Sequence, residues 1–112
     1  MFKSLISGCY CEALVDSGAS HSFVSLHFLT DNTIPYKSAD VAEASLADGS
    51  PTPIVGVVRD LRMKIGHFRF TESFLVVDVR NLEVVLGMSF LEQHNLRLDW
   101  KRRCMHVVHK NT

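Results

Sequence analysis

The sequence has no surplus of either charge: twelve lysines and arginines balance twelve aspartates and glutamates over 112 residues. A neutral chain gives no electrostatic basis for holding nucleic acid or an anionic membrane surface, so neither partner is expected for this domain. The one basic cluster, Lys101-Arg102-Arg103, is short and reads as a solvated hairpin tip. Cysteine is scarce and odd in number, with Cys9, Cys11 and Cys104. That excludes a dense disulfide framework and points to a reducing compartment, hence an intracellular, cytoplasmic protein. No apolar run approaches membrane-spanning length. The opening Met1-Phe2-Lys3-Ser4-Leu5-Ile6-Ser7 is too short an apolar run for a signal peptide, and there is neither a myristoylation glycine nor a prenylation box. Linkers, low-complexity tracts and solenoid repeats are also missing. The expectation is a soluble domain from a longer chain.

What remains is an ordinary globular composition, 46% hydrophobic and 21% charged. Residues 1–112 fit one domain, able to bury about two-thirds of its unfolded surface. The chain is organised around Ala13-Leu14-Val15-Asp16-Ser17-Gly18-Ala19-Ser20. Apolar residues deliver one carboxylate to a run of small residues, where a tight turn leaves room for another backbone or a ligand. An isolated Asp-Ser-Gly is more often a plain Asx-turn, so its meaning depends on what surrounds it.

Taken in order, Phe2 to Ser7 reads as a strand and Gly8 as a turn. Cys9 to Val15 alternates, with Cys9, Cys11, Ala13 and Val15 on one face. His21 to Leu29 reads as a strand running into a short helix. Asp48-Gly49-Ser50-Pro51 is a strong turn signal inside a hairpin. Val57, Arg59, Leu61, Met63 and Ile65 then alternate with Val58, Asp60, Arg62 and Lys64, which predicts a long strand with one wet face. Phe68–Phe70 and Phe74–Val77 continue the sheet. Val84 to Leu86 reads as a buried strand ending at Gly87, and Ser89-Phe90-Leu91-Glu92 is a capping-box pattern for a short helix that Asn95 would stop. Leu96 to Trp100 and Cys104 to His109 make the last strands. Many short strands, tight turns and one clear helix predict an all-β, barrel-like domain. There is one internal echo. Leu14-Val15-Asp16-Ser17-Gly18 and Val84-Val85-Leu86-Gly87 are both apolar strands meeting a glycine turn, but only the first carries a carboxylate.

Other chemistry fits less well. Cys9-x-Cys11 with Cys104-x-His106-x2-His109 matches no common zinc spacing, so no metal site is assigned. Ser20-His21-Ser22 offers no nucleophile–base pair if the chain is extended there, since neighbouring side chains then point to opposite faces.

Three segments together resemble the retropepsin-type aspartic proteases, closest to the protease domains of gypsy-type LTR retrotransposons and proteins domesticated from them. They are Ala13 to Phe23, Leu46-Ala47-Asp48-Gly49-Ser50, and Val84 to Asn95, with the tail Leu98-Asp99-Trp100-Lys101-Arg102-Arg103 as a fourth likeness. Ser89-Phe90 stands where retrotransposon members commonly have Asp-Trp. The resemblance implies a retropepsin-like closed barrel with one short C-terminal helix and half a catalytic site per protomer. It implies an aspartic endopeptidase acting on extended, polyprotein-like substrates, with no metal or organic cofactor, in the cytoplasm or inside a retroelement particle. Asp16 would be the catalytic carboxylate, and Ser17 the hydroxyl that hydrogen-bonds across the dimer. Gly18 and Ala19 would let loops and substrate approach. Ala47, Asp48, Gly49 and Ser50 would form the flap, and Leu86 and Gly87 would support the loop from beneath. An aspartic protease needs two carboxylates sharing a proton, and this chain has one Asp-Ser-Gly, so a symmetric homodimer is implied. A second reading is a catalytically weak or inactive fold kept as a binding or dimerisation module. The intact Asp-Ser-Gly counts against it, because binding needs no carboxylate. A third reading, the retropepsin-like domain of a ubiquitin-pathway shuttle, shares the chemistry and differs in flanking domains.

Overall fold

The computed structural model describes residues 2–38, 44–45, 51–94, 96–99 and 104–107. Its elements in chain order are β1 (Phe2–Ile6), β2 (Cys9–Val15), β3 (Phe23–Ser25), α1 (Leu26–Asp31), β4 (Lys37–Ser38), β5 (Ala44–Ser45), β6 (Pro51–Thr52), β7 (Ile54–Ile65), β8 (Phe68–Val77), β9 (Val84–Leu86), α2 (Met88–Gln93), β10 (Leu96–Asp99) and β11 (Cys104–Val107). The principal sheet runs β1-β2-β9-β3-β8-β7-β4, and β1 also pairs with β7. That extra pairing, Ser4↔Ile65 to Ile6↔Met63, closes six strands into a barrel and leaves β4 outside the ring. Closure removes the free edges an open sheet would expose. The expected all-β closed barrel is therefore the observed fold.

Local chemistry accounts for the first hairpin. Ser7 and Gly8 both take left-handed backbone, φ 50° and 82°, which suits a two-residue hairpin turn. β1 and β2 then pair from Ile6↔Cys9 to Phe2↔Ala13. Cys11, Ala13 and Val15 face inward, as their alternation predicts, while Tyr10 and Glu12 are exposed. The core they join contains Ile6, Val24, Leu29, Phe74, Val76, Val84, Leu86 and Phe90. Phe70 packs on Phe90 at 4.8 Å between ring centroids, and the His94 ring lies 5.2 Å from Phe90, so α2 is held against β8 through aromatic contacts.

The long strand β7 departs from simple alternation. Val58 pairs with Phe74 and Leu61 with Glu72, so β7 carries one residue more than β8 across this step. The extra residue is accommodated at Asp60, whose φ is 55° and whose amide donates to Ser73 Oγ at 3.2 Å. A one-residue bulge reverses the side-chain phase. Val58 and Met63 are consequently both buried, although strict alternation assigns them to opposite faces. β8 is continuous from Phe68 to Val77, so the two segments expected there are one strand.

Two short helices are present among the described residues. α1 follows β3, where the sequence reads as strand running into helix, and is capped by Ser25, whose side chain accepts from the His27 amide. α2 is the expected C-terminal helix, but it begins at Met88 with Gly87 as N-cap and no side-chain cap. The capping box at Ser89 does not form, because the first amides of α2 are already used elsewhere, as described below. Asn95, the expected stop, lies outside the described residues, as do Trp100 and Lys101-Arg102-Arg103. β10 and β11 form a separate antiparallel pair, Leu96↔Val107 to Asp99↔Cys104. No helix among the described residues is long and apolar enough to cross a membrane.

Burial pushes the Cys11 thiol up from 9.0 to about 12, with the Glu83 carboxylate and Cys9 adding to the effect. Because the folded value lies above the unfolded one, this contribution to stability is complete below pH 9.0 and is lost as pH rises toward 12. The urea midpoint of the wild-type chain should therefore fall more steeply above pH 9.0 than that of Cys11→Ala, measured by tryptophan fluorescence. Independently, Phe74→Ala removes a ring only 1% exposed and should cost about 3–5 kcal/mol in the same assay.

Candidate active site

Asp16 lies directly after β2, and β2 runs parallel to β9 in the register Ala13↔Val84, Leu14↔Val85, Val15↔Leu86. Parallel pairing brings the ends of both strands, and so both glycine-bearing turns, to the same end of the barrel. The two echoing segments of the sequence are thereby side by side. The Asp16 amide donates to Leu86 O at 2.9 Å, and the Ala19 amide to Asp16 O at 3.2 Å. The Gly18 amide donates to Asp16 Oδ1 at 2.8 Å, an Asx-turn that fixes one carboxylate oxygen. Gly18 takes no left-handed backbone. Its lack of a side chain matters because a Cβ would stand 3.1 Å from the same Oδ1.

The other carboxylate oxygen behaves differently. Asp16 Oδ2 is shielded from solvent and has no hydrogen-bond partner among the described residues. A buried acceptor left unpaired costs about 1–3 kcal/mol. Ser17 and Gly18 beside it are exposed, while Ala19 is buried in a small cluster with Phe23, Ile54, Val77 and Val85.

Beneath this loop sits the turn from β9 into α2. The Met88 amide donates to Ala19 O at 2.6 Å, and the Ser89 amide to Ser20 O at 3.2 Å. These are orphan N–H groups of the helix start, and the loop's carbonyls satisfy them. Gly87 makes the approach possible: a Cβ there would collide with the His21 carbonyl oxygen and lie 2.7 Å from that of Ala19. Leu86, Gly87, Asp16, Ser17, Gly18 and Ala19 are thus brought together. Ala47, Asp48, Gly49 and Ser50 lie outside the described residues. The arms flanking them are paired, Ala44↔Thr52 and Ser45↔Pro51, as a hairpin requires.

Ser20 and His21 depart from the extended geometry that alternation predicts. Their side chains do not point to opposite faces: Ser20 Oγ is 2.9 Å from His21 Nδ1. The chain bends here instead of extending, so the period-two rule does not apply. The pair is exposed and lies on the far side of Ala19 from Asp16 in the chain.

Two polar residues escaped the sequence reading. Ser22 Oγ accepts from the Gly87 amide at 3.2 Å and donates to Glu72 Oε2 at 2.8 Å. Both side chains are buried. The signal for Glu72 was available: Phe70, Glu72, Phe74 and Val76 follow one period-two phase, which puts a carboxylate in line with core residues. Treating Phe68–Phe70 and Phe74–Val77 as separate strands hid it.

The chain matches the PEG10/RTL1 protease domain over residues 12–111. It belongs to that family. The match takes in Asp16, both turns and both helices. Among curated proteins, it is 29% identical over 103 residues to the Arabidopsis thaliana protein DNA-DAMAGE INDUCIBLE 1, covering 91% of this chain and 25% of that protein. It is 30% identical over 95 residues to DNA damage-inducible protein 1 of Chaetomium globosum, covering 84% of this chain and 21% of that protein. The chain therefore spans about a quarter of the length of the curated relatives it matches. Its fold is similar to the retroviral protease-like domain of Ddi1 from Leishmania major, with TM-score 0.72 at 16% identity over 95% of this chain and 85% of that one. It is also similar to EIAV protease complexed with the inhibitor HBY-793, with TM-score 0.63 at 17% identity over 87% of this chain and 88% of that one. A retropepsin-like protease fold is thus established by family and by shape.

Gly87→Ala tests the packing of the two turns. With backbone oxygens on two sides and little room to shift, it should destabilise the protein by about 1–3 kcal/mol, read as a lower urea midpoint at unchanged m-value.

Proposed function

We propose that this chain is the protomer of a homodimeric aspartic endopeptidase that cleaves extended polypeptides, with Asp16 as its catalytic carboxylate. The observation that carries the reading is the unpartnered, shielded Asp16 Oδ2. Within one protomer the Asx-turn to Gly18 orients Oδ1, and Oδ2 has no partner among the described residues. A second Asp16 across a two-fold axis supplies the missing partner, because two carboxyl groups sharing one proton satisfy each other. Membership of the PEG10/RTL1 protease domain family supports the same reading.

The chemistry then follows from the pair. The ionised aspartate takes a proton from a water molecule held between the two. The protonated one donates to the scissile carbonyl oxygen as water adds to the carbon. Collapse of the tetrahedral diol, with a proton passed to the leaving amine, breaks the C–N bond and restores the shared proton. No covalent enzyme intermediate, metal or organic cofactor enters. Ser17, exposed next to Asp16, is assigned a hydrogen bond across the dimer, and Gly18 and Ala19 keep the approach narrow. The hairpin built on β5 and β6, with Ala47, Asp48, Gly49 and Ser50 in the sequence between them, is assigned the flap that covers substrate and excludes water. The substrate lies beneath it as an added strand with apolar side chains around the cleaved bond. The polyprotein from which the domain derives is its natural target, inside the cell, and residues 1–112 act as one domain.

The test uses a casein or polyprotein peptide library with wild type and Asp16→Asn side by side. Wild-type cleavage should rise faster than linearly with protein concentration and pass through a maximum with pH, since one proton must be shared. The Asn variant should lose at least about 100-fold in kcat. Absence of cleavage by a folded, dimeric wild type would overturn the enzyme reading in favour of a binding module.

A further inference from the structure

We propose that Glu72 is a positioning residue for Asp16, acting through Ser22 and the Gly87 amide and never touching substrate; this rests on the protease reading above. Glu72 is 6% exposed and points inward from β8 between Phe70 and Phe74. Nothing about core packing calls for a carboxylate at that point, and burying one is costly unless it is hydrogen-bonded. Among the described residues no lysine, arginine or histidine lies within ion-pair distance of it. Its buried contact is the Ser22 hydroxyl at 2.8 Å, and Ser22 is itself 2% exposed.

The direction of the relay gives it its role. A hydroxyl has one proton and two lone pairs. With the Ser22 proton committed to Glu72 Oε2, a lone pair is left facing the Gly87 amide at 3.2 Å. A strong acceptor at position 72 therefore fixes the hydroxyl rotor and polarises it as an acceptor for Gly87. Gly87 is the centre of the turn that holds the Asp16 loop. Leu86 O on one side receives the Asp16 amide, and the Met88 and Ser89 amides on the other hold Ala19 and Ser20. Glu72 thus sets the orientation of the 86–87 peptide from below while the Asp16 loop engages it from above. It also connects the loop to the β7–β8 hairpin, since Glu72 pairs with Leu61 just beyond the Asp60 bulge, and β7 continues from β6.

The experiment compares Glu72→Gln, which keeps an acceptor, with Glu72→Leu and Ser22→Ala, which break the relay, and with the Glu72→Leu/Ser22→Ala double variant. Two readouts are taken on the full chain: steady-state cleavage of a peptide cut by the wild type, and amide hydrogen exchange of Asp16 and Gly87 followed by NMR. Glu72→Leu and Ser22→Ala should each lower kcat by about ten-fold or more with KM nearly unchanged, Glu72→Gln should stay close to wild type, and the double variant should lose little beyond either single one. Exchange at Gly87 and Asp16 should quicken in the two relay-breaking variants, remain slow in Glu72→Gln, and leave Leu5 and Tyr10 in the distant β1–β2 hairpin unaffected. Full kcat and unchanged Gly87 exchange in Glu72→Leu would overturn the proposal. So would equal losses in the Gln and Leu variants, or exchange that quickens throughout the barrel. If a folded, dimeric wild type cleaves nothing, the protease reading fails by itself, and the exchange pattern still decides whether Glu72 positions the Asp16 loop.

Discussion

Everything at the candidate site depends on one backbone junction, the meeting of the Asp16 loop with the turn from β9 into α2. Three hydrogen bonds make it: Asp16 N–H to Leu86 O, Met88 N–H to Ala19 O and Ser89 N–H to Ser20 O. Each uses a group that has no partner within its own element, so the loop satisfies the start of the helix and the helix holds the loop. The fit requires that no Cβ project from position 87. A carboxylate placed on a free loop would sample many orientations. Here its backbone is fixed on one side by β9, and its Oδ1 is fixed by Gly18.

The barrel exists to make that junction. Parallel pairing of β2 with β9 brings the ends of the strands before both turns to one place, parallel pairing of β3 with β8 sets the strand after the Asp16 loop beside Glu72's strand, and the β1–β7 pairing closes the ring around them. Closing six strands demands curvature, and the bulge at Asp60 is one place where the chain bends to provide it. The same bulge shifts β7 so that Val58 and Met63 both reach the core. The β7–β8 register shifts a second time between Ile54 and Gly56, while at Asp60 one inserted residue serves both bending and packing. Across from it, Glu72 and Ser73 occupy the matching stretch of β8, one buried under the turns and the other receiving the Asp60 amide.

A chain organised in this way has one carboxylate oxygen tied and one shielded without a partner among the described residues. That asymmetry is the physical basis for reading the chain as half of a two-fold site. Polar groups withdrawn from water are normally paired, and one that is not calls for an explanation. The other such atom among the described residues, His94 Nε2, belongs to a ring packed among Phe68, Phe70 and Phe90, whereas Asp16 Oδ2 belongs to a carboxylate between exposed Ser17 and the β9 turn. The second polar chain, from Gly87 through Ser22 to Glu72, runs between groups of this one chain.

The sequence by itself determined the strand-rich class, the hairpin at Gly8, the inward face of β2 and the two glycine turns, because local periodicity and turn chemistry are properties of neighbours in the chain. It also marked Asp16, since a carboxylate among small residues after an apolar strand is legible without coordinates. It did not determine the phase of β7, because a bulge is chosen by the curvature of the whole sheet. The start of α2 was likewise out of reach: a local capping box lost to carbonyls some seventy residues away in the chain, where Met88 meets Ala19. The Ser20–His21 contact arose from a bend that alternation could not foresee. Glu72 alternates visibly with the core residues of its strand, but that it meets Ser22 beneath the loop was decided only when tertiary folding brought β8 under the end of β3. Hydrogen bonds between distant segments are made by topology, and topology is what a one-dimensional pattern leaves open.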